Sequence, residues 1–131
     1  MIVGIGSDII EIERIEKIIY KFGNRFIDRC FTKTEIMKSE SKANKYASYA
    51  KRYAAKEACS KALGIGLAKG IKWKDIGVIN DQNGKPNIEL KGNALERFKF
   101  ISPSNKELSI NLTLTDEKNL AYAMVIISST K

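Results

Sequence analysis

Residues 52–66, Arg-Tyr-Ala-Ala-Lys-Glu-Ala-Cys-Ser-Lys-Ala-Leu-Gly-Ile-Gly, form the most informative stretch of the chain. Alanine, lysine and glutamate are strong helix formers, and a glycine such as Gly64 commonly ends a helix. The same composition extends upstream, so the sequence predicts a long helix over residues 46–63. Small side chains recur along it, at Ala54, Ala58 and Ala62. They should let this helix pack closely against another element.

Most of the chain before this helix is also predicted to be helical. Apolar residues recur at helical spacing at Ile12, Ile15, Ile19 and Phe22. The predicted elements are a strand over residues 2–8, a helix from Asp8 to Gly23, a further helical turn or two over 24–29, a helix that starts at a Thr32–Glu35 capping box, and a loop over 39–44.

Strand periodicity replaces helical periodicity after Gly64. Residues 71–78 and 88–90 alternate around a turn at 81–84, which predicts a hairpin. A second hairpin is indicated by alternation over 108–114, a turn over 115–119 and an apolar strand over 120–127 that should be buried on both faces. A short helix is predicted over 92–100. The 131 residues are therefore predicted to form a single α+β domain, with helices in the amino-terminal half packed on an antiparallel sheet.

Composition excludes several kinds of catalytic site. With 44% hydrophobic residues and two prolines, the chain has a globular composition, and it contains no histidine. Ser-His-Asp and Cys-His nucleophile systems, histidine zinc sites and histidine acid–base catalysis are therefore excluded. Any catalysis must use carboxylates, lysine, tyrosine or a metal. Cys30 and Cys59 lack metal-ligand spacing and are expected to be buried thiols in a reducing compartment.

The net charge of +8 favours an anionic partner: nucleic acid, an anionic membrane surface, a phosphorylated ligand or an acidic protein. A basic nucleic-acid-binding module is one interpretation, suggested also by Tyr46, Tyr49 and Tyr53, although no recognised nucleic-acid motif is present. The longest apolar stretch, residues 120–127, is too short to cross a bilayer, and nothing at the amino terminus resembles a signal peptide. We therefore expect a cytoplasmic protein.

Two charged segments are candidates for a functional site. Asp8 follows Gly4 and Gly6, and glycines in a strand let a ligand or another backbone come close. Asp8 could equally cap the first helix. Glu57 and Lys61 are four residues apart and project from one helix face, where they could equally form a solvated ion pair within a pure interaction protein.

Five motifs occur together in this chain. They are Gly4-Ile5-Gly6-x-Asp8, Arg25-Phe26, Phe31-Thr32-x-x-Glu35, Ala54-Ala55-Lys56-Glu57-Ala58-x-Ser60-Lys61-Ala62-Leu63-Gly64-x-Gly66 and Asn83-Gly84-Lys85-Pro86. In order, spacing and total length the chain resembles the holo-acyl-carrier-protein synthases of the 4′-phosphopantetheinyl transferase superfamily. The resemblance covers nearly the whole chain and implies a 4′-phosphopantetheinyl transferase-like fold.

The resemblance also implies a reaction. Such enzymes move phosphopantetheine from coenzyme A to a serine of apo acyl carrier protein, release adenosine 3′,5′-bisphosphate and support fatty acid biosynthesis. Asp8 and Glu57 match the carboxylates that hold Mg²⁺, a cation that prefers oxygen ligands and completes its shell with phosphate and water. The base would be Glu57 or a metal-bound water that it orients. Lys61 and Arg52 match phosphate-binding positions, and Gly64 and Gly66 match a turn that the cofactor approaches.

The resemblance finally implies two protein interfaces. Carrier docking would use the first helical region, through Arg14, Arg25, Phe26 and Arg29, with Lys17 and Lys21 either contributing or merely solvated. Members of the family assemble as homotrimers with active sites between subunits, and the resemblance implies the same assembly here. One departure concerns Asp116, since many members have histidine at this point in a Ser-x-Ser/Thr-His motif. That cofactor contact is therefore in doubt, and no ligand role is assigned to Asp116.

Overall fold

The structure, a computed structural model, describes residues 1–67 and 70–130. Within those ranges it contains five α-helices, five strands and two short 3₁₀ helices, Trp73–Asp75 and Pro103–Asn105. The helices are α1 Ile12–Phe22, α2 Asn24–Cys30, α3 Lys33–Glu40, α4 Lys45–Leu63 and α5 Gly92–Phe100. The strands are β1 Ile2–Glu11, β2 Ile76–Asn80, β3 Pro86–Leu90, β4 Leu108–Glu117 and β5 Leu120–Ser129. No helix among the described residues is long and apolar enough to cross a membrane.

The strands form two antiparallel sheets. One sheet has the order β1-β5-β4, so the first strand of the chain pairs with the last, and the other is the β2-β3 hairpin. Both predicted hairpins are confirmed, as are the capping box at Thr32 and Glu35 and the burial of Cys30 and Cys59. The bounds of the hairpins differ from the prediction: Trp73–Asp75 form a 3₁₀ turn, so β2 begins only at Ile76, and β4 continues to Glu117, which shortens the predicted turn over 115–119. The predicted α+β class, with helices packed on an antiparallel sheet, is also confirmed.

The long helix α4 lies almost directly on β1. A Cβ atom built on Gly6 would stand 1.9 Å from the carbonyl oxygen of Ala58, and one built on Gly4 would stand 2.1 Å from that of Ala62. Such distances are impossible for real atoms, so only glycine permits this approach. The glycines of the first motif therefore serve backbone packing, one of the two alternatives that the sequence left open.

Strand β1 is longer than predicted. It continues through Asp8 to Glu11, which pairs with Leu120 of β5, and α1 begins only at Ile12. The prediction that the strand hands over to a helix at Asp8 is therefore wrong, and Asp8 is not a helix cap. Backbone pairing with β5 extends the strand beyond the point that local periodicity indicates. Phe22, which was expected on the apolar face of the first helix, is 46% exposed.

Two further expectations change in detail. The predicted loop over 39–44 is shorter because α3 continues to Glu40, and the buried Ser39 hydroxyl hydrogen-bonds that of Ser48 on α4 at 2.9 Å. Strand β5 was expected to be buried on both faces, yet only its inward residues are fully covered: Ala121, Ala123, Val125 and Ile127. The outward residues Tyr122, Met124 and Ile126 are half-buried. Within the described residues, helices therefore cover one face of the three-stranded sheet.

Candidate active site

Asp8, Glu57 and Lys61 meet where β1 passes beneath α4. Asp8 occupies the same face of β1 as Gly4 and Gly6, so its side chain is directed to the helix. The Lys61 ammonium donates to the Ser7 carbonyl oxygen at 2.9 Å and to Asp8 Oδ1 at 3.3 Å. The bond to Asp8 replaces the solvated Glu57–Lys61 pair that the spacing alone allowed.

Electrostatics link Glu57 to Asp8. Burial raises the pKa of Glu57, the nearby Asp8 carboxylate raises it further, and Lys61 opposes both effects. Tyr53, one helical turn before Glu57, also has a raised pKa because of burial and of the Glu57 carboxylate, while Arg14 lowers it. A carboxylate whose ionisation is opposed by a neighbouring carboxylate favours the binding of a cation between the two.

The donor set fits Mg²⁺ better than a transition metal. Among the described residues there is no cluster of three or more His, Cys, Asp or Glu side chains that could enclose a metal. Asp8 and Glu57 supply oxygen ligands from two rigid elements, a strand and a helix. Mg²⁺ commonly binds through one or two carboxylates and substrate phosphates. The site therefore suits a metal that arrives with a phosphorylated substrate.

Arg52 lies in a different place. It is 5% exposed and lines an open cavity of about 560 Å³, here called the Arg52 cavity. The ionisable residues of the lining are Lys38, Lys42, Lys51, Arg52 and Asp116. The β2-β3 hairpin contributes Asn80, Gly84 and Pro86. The lining of this cavity includes neither Asp8 nor Glu57, and it adds three lysines that sequence analysis did not single out.

Arg52 retains unused hydrogen-bonding capacity. Its Nη1 donates to the carbonyl and hydroxyl oxygens of Ser48, at 3.2 and 2.6 Å. Among the described residues, however, Arg52 Nε has no hydrogen-bond partner. Burial lowers the pKa of this guanidinium, with partial compensation from Glu35 and Tyr49. A buried cation with a free donor in a basic cavity is suited to an anionic ligand.

Gly64 and Gly66 follow α4 as predicted, but they differ in backbone conformation and in the space around them. Gly64 ends the helix with φ of 78°, a left-handed conformation that favours glycine. A Cβ on Gly66 would meet nothing within 4 Å. Arg97 of α5 supports this turn by donating to the Leu63 carbonyl oxygen at 2.8 Å. The turn is therefore accessible at Gly66, whereas Gly64 is required by the helix end itself.

The predicted carrier-docking face is formed by Arg14, Arg25, Phe26 and Arg29. The last three line one open cavity of about 360 Å³, together with Ile18 and Phe22, which sequence analysis did not assign to this face. Phe26 also contacts the core, with ring centroids 5.9 Å from Phe31 and 6.1 Å from Tyr53. Arg14 does not line that cavity and lies closer to Tyr53, whose pKa it lowers.

Comparison with known proteins agrees with this site. Residues 4–123 match the model of the 4′-phosphopantetheinyl transferase superfamily. The holo-[acyl-carrier-protein] synthase of Rhizobium rhizogenes is 57% identical over 129 residues, which are 98% of this chain and 96% of that protein. The chain belongs to the holo-[acyl-carrier-protein] synthase family of that superfamily. The family's activity, phosphopantetheinyl transfer, is therefore the enzyme class of this chain.

Solved structures confirm the fold. The holo-[acyl-carrier-protein] synthase of Neisseria meningitidis is 32% identical and superimposes with a TM-score of 0.84, over 98% of this chain and all (100%) of that one. That of Helicobacter pylori, solved in complex with coenzyme A, is 31% identical with a TM-score of 0.78, over 95% of this chain and 99% of that one. The 4′-phosphopantetheinyl transferase-like fold predicted from the motifs is thus confirmed.

Proposed function

We propose that this chain transfers 4′-phosphopantetheine from coenzyme A to a serine of an apo acyl carrier protein, in a Mg²⁺-dependent reaction that releases adenosine 3′,5′-bisphosphate. The observation that carries the proposal is the convergence of Asp8, Glu57 and Lys61 through the close contact of β1 with α4. Coenzyme A in the Helicobacter pylori relative supports the choice of donor.

Asp8 and Glu57 would hold Mg²⁺ against the coenzyme A diphosphate. When bound, the metal neutralises the charge that develops on the phosphate oxygens. Lys61, which is half-exposed and already directed to Asp8, would add a second positive charge on the same phosphates. These three residues would thereby orient the diphosphate for attack.

The chemistry exchanges one phosphorus–oxygen bond for another. The carrier serine oxygen forms a bond to the phosphorus that carries pantetheine, and the bond from that phosphorus to the bridging oxygen of the diphosphate breaks. The serine proton must go to a base, and Glu57 is suited to accept it, directly or through a water. Burial and Asp8 raise the pKa of Glu57, which makes its carboxylate a stronger base than an exposed one.

A homotrimer would unite two parts of the site that one chain keeps apart. Lys61 contacts Asp8 on β1, whereas Lys51 contacts Asp116 on β4, and β1 and β4 form opposite edges of the three-stranded sheet. Helix α4 contributes the lysine of each cluster. In a cyclic trimer each interface joins different surfaces of neighbouring subunits. The carboxylate pair of one subunit could then face the Arg52 cavity of the next, and coenzyme A, which has phosphates at two positions, could bridge them.

The outward face of the three-stranded sheet offers a surface for that assembly. Ile5 and Ile9 of β1 are 59% and 60% exposed, and they pair across the sheet with Ile126 and Tyr122 of β5. Monomeric proteins rarely leave a contiguous apolar patch of this kind in water. We assign it to contacts between copies of this chain.

A charged substitution on this face tests the assignment. Ile9→Lys should shift the mass measured by sedimentation from that of a trimer to that of a monomer, and it should reduce transfer. Thermal unfolding should show that the monomer stays folded.

The carrier is proposed to bind the carrier-docking face. Arg25 and Arg29 flank the apolar cavity beside Phe26, which suits an acidic helix with an apolar anchor. The pKa of Tyr53 responds to both Arg14 and Glu57, so this face borders the carboxylate site. A role in fatty acid biosynthesis and a cytoplasmic location are further parts of the proposal and are supported by the family alone.

Mass spectrometry of the carrier tests the function directly. Apo acyl carrier protein incubated with this protein, coenzyme A and Mg²⁺ should gain the mass of phosphopantetheine, and a chelator should abolish the gain. No gain in mass would contradict the proposal.

The nucleic-acid alternative loses part of its basis, because Tyr49 is fully buried and its hydroxyl donates to Glu40 at 2.6 Å. Tight, specific nucleic-acid binding at physiological salt would restore that alternative.

A further inference from the structure

The ion pair between Lys51 and Asp116 crosses from α4 to β4 at the Arg52 cavity. Lys51 Nζ lies 2.9 Å from Asp116 Oδ1, and the two side chains are 29% and 38% exposed. Both residues line the cavity, where the remaining ionisable groups among the described residues are cations: Lys38, Lys42 and Arg52. A single acid therefore stands among four cations in a cavity suited to a phosphate.

The Lys51–Asp116 pair differs from an ordinary surface ion pair in what it joins. The exposed pair between Lys99 and Glu96 joins two positions of one helix at 3.9 Å, as surface charges commonly do. Lys51 and Asp116 instead come from elements far apart in the sequence, and neither side chain makes another side-chain hydrogen bond or ion pair among the described residues. Asp116 thus engages one specific cation of the anion-binding cavity.

We propose that Asp116 is an internal counter-ion that competes with the ligand's phosphate for Lys51 and so weakens the hold of the cavity on nucleotide. The proposal rests on the proposed function, since it takes the ligand to be the phosphorylated nucleoside end of coenzyme A. While Lys51 is paired with Asp116, a phosphate receives less attraction from the ammonium and is repelled by the carboxylate. Release of the bisphosphate product would be faster for the same reason.

Asp116→Asn keeps the shape of the side chain and removes its charge. A partly exposed pair of this kind is worth up to about 1 kcal/mol, which is about fivefold in affinity. In calorimetric titration of the full-length protein, adenosine 3′,5′-bisphosphate should bind Asp116→Asn about fivefold more tightly than wild type, with a steeper dependence on salt. Adenosine 5′-monophosphate, which lacks the second phosphate, should gain less. Glu96→Gln removes the same charge from the exposed pair on α5 and should leave both affinities unchanged.

A double-mutant cycle shows whether Asp116 acts through Lys51. Lys51→Met should weaken bisphosphate binding, and in that background the gain from Asp116→Asn should be smaller, because only the direct repulsion by the carboxylate is then removed. Unchanged or weaker binding to Asp116→Asn, or an equal gain with and without Lys51, would overturn the proposal. Thermal unfolding of each variant tests for loss of structure. Such a loss would lower the affinity for both nucleotides and would not raise either of them. In transfer assays Asp116→Asn should lower the KM for coenzyme A more than it changes kcat.

The same experiment separates this inference from the proposed function. Transfer by wild type with no effect of Asp116→Asn on nucleotide binding would refute the counter-ion role and leave the function intact. Binding that responds as described, without any transfer to carrier, would contradict the proposed function and leave the counter-ion role supported. Failure of wild type to bind the bisphosphate would overturn the inference, and the transfer assay would then judge the function on its own.

Discussion

Lys56 and Glu35 form a completely buried ion pair, with Nζ and Oε1 2.8 Å apart. The pair joins the two sequence motifs that contain these residues. Glu35 also accepts the backbone N–H groups of Thr32 and Val78, and Lys56 donates to the carbonyl oxygens of Trp73 and Ile76. One network therefore fixes the start of α3, the middle of α4 and the beginning of β2. Lys56 precedes Glu57, so the network also fixes the part of α4 that carries the proposed catalytic carboxylate.

Breaking this pair should destabilise the protein strongly. Lys56→Met would leave Glu35 charged and buried without its partner, which typically costs about 3–5 kcal/mol. Urea denaturation should show this loss in the free energy of unfolding. Adding Glu35→Gln to Lys56→Met should recover part of it, because glutamine removes the unpaired charge and its one amide oxygen can still accept one of the two backbone N–H groups. A double variant less stable than Lys56→Met would contradict this account.

Gly6→Ala should separate β1 from α4. The added Cβ would stand 1.9 Å from the backbone oxygen of Ala58, so the strand or the helix must shift, and Asp8 would move with the strand. We expect a lower melting temperature and loss of transfer. Ala58→Gly should not rescue the variant, since the clash involves backbone. Gly66→Ala is the matched control for stability, because its Cβ would meet nothing within 4 Å. Equal melting temperatures of Gly6→Ala and Gly66→Ala would disprove the close-packing argument.

The sequence predicted elements well where the signal was local. The helix ending at Gly64, the capping box at Thr32 and the hairpin turn near Gly84 each depend on a few neighbouring residues. Prediction from the sequence failed where contacts between distant parts of the chain determine the structure. Strand β1 reaches Glu11 because the last strand of the chain pairs with it, and no pattern near Asp8 indicates that pairing.

The candidate site shows the same division. Asp8, Glu57 and Lys61 were identified from motifs, and the structure brings them together. The lysines around Arg52 come from α3, the following loop and α4, so only the folded chain makes them neighbours. Lys38 and Lys42 lie in polar stretches that resemble any solvated surface. The exposure of Phe22 depends on whether another element covers α1, which helical periodicity cannot show.

The carboxylate pair should be essential for transfer but not for folding. Asp8→Asn and Glu57→Gln each remove an anionic oxygen ligand, and Glu57→Gln also removes the base. Each should lower kcat by about 100-fold to 10,000-fold. Circular dichroism should show that the fold is preserved. Isothermal titration should show weaker Mg²⁺-dependent binding of coenzyme A in both. Wild-type turnover in both variants, or full activity with a chelator, would rule out the metal-carboxylate assignment.

Both thiols should be inert in the folded protein. Burial raises the pKa of Cys30 to about 11 and that of Cys59 to about 12. At pH 8 the thiolate fractions are about 0.1% and about 0.01%, so a thiol reagent should modify native protein far more slowly than protein in denaturant. The unfolded chain loses these protons near pH 9, at lower pH than the folded chain. Stability should therefore fall as pH rises above about 9. Native modification within tenfold of the denatured rate would contradict the burial of both thiols.

Charge and apolar contact should make separable contributions to carrier binding. Arg14→Glu should raise the KM for the carrier, and the defect should shrink as salt increases, because exposed interface charges act mainly on encounter. Lys99→Glu, on α5, is the control with the same change in charge and should leave that KM unchanged.

The apolar part is best tested at Phe22, since Phe26→Ala would also remove packing against Phe31 and Tyr53. Phe22 lines the same cavity and is 46% exposed, so Phe22→Ala should weaken carrier binding with little dependence on salt and little loss of stability. Neither Phe22→Ala nor Arg14→Glu should change coenzyme A affinity measured without carrier. If both variants lost coenzyme A binding and kept carrier binding, this surface would belong to the cofactor site instead.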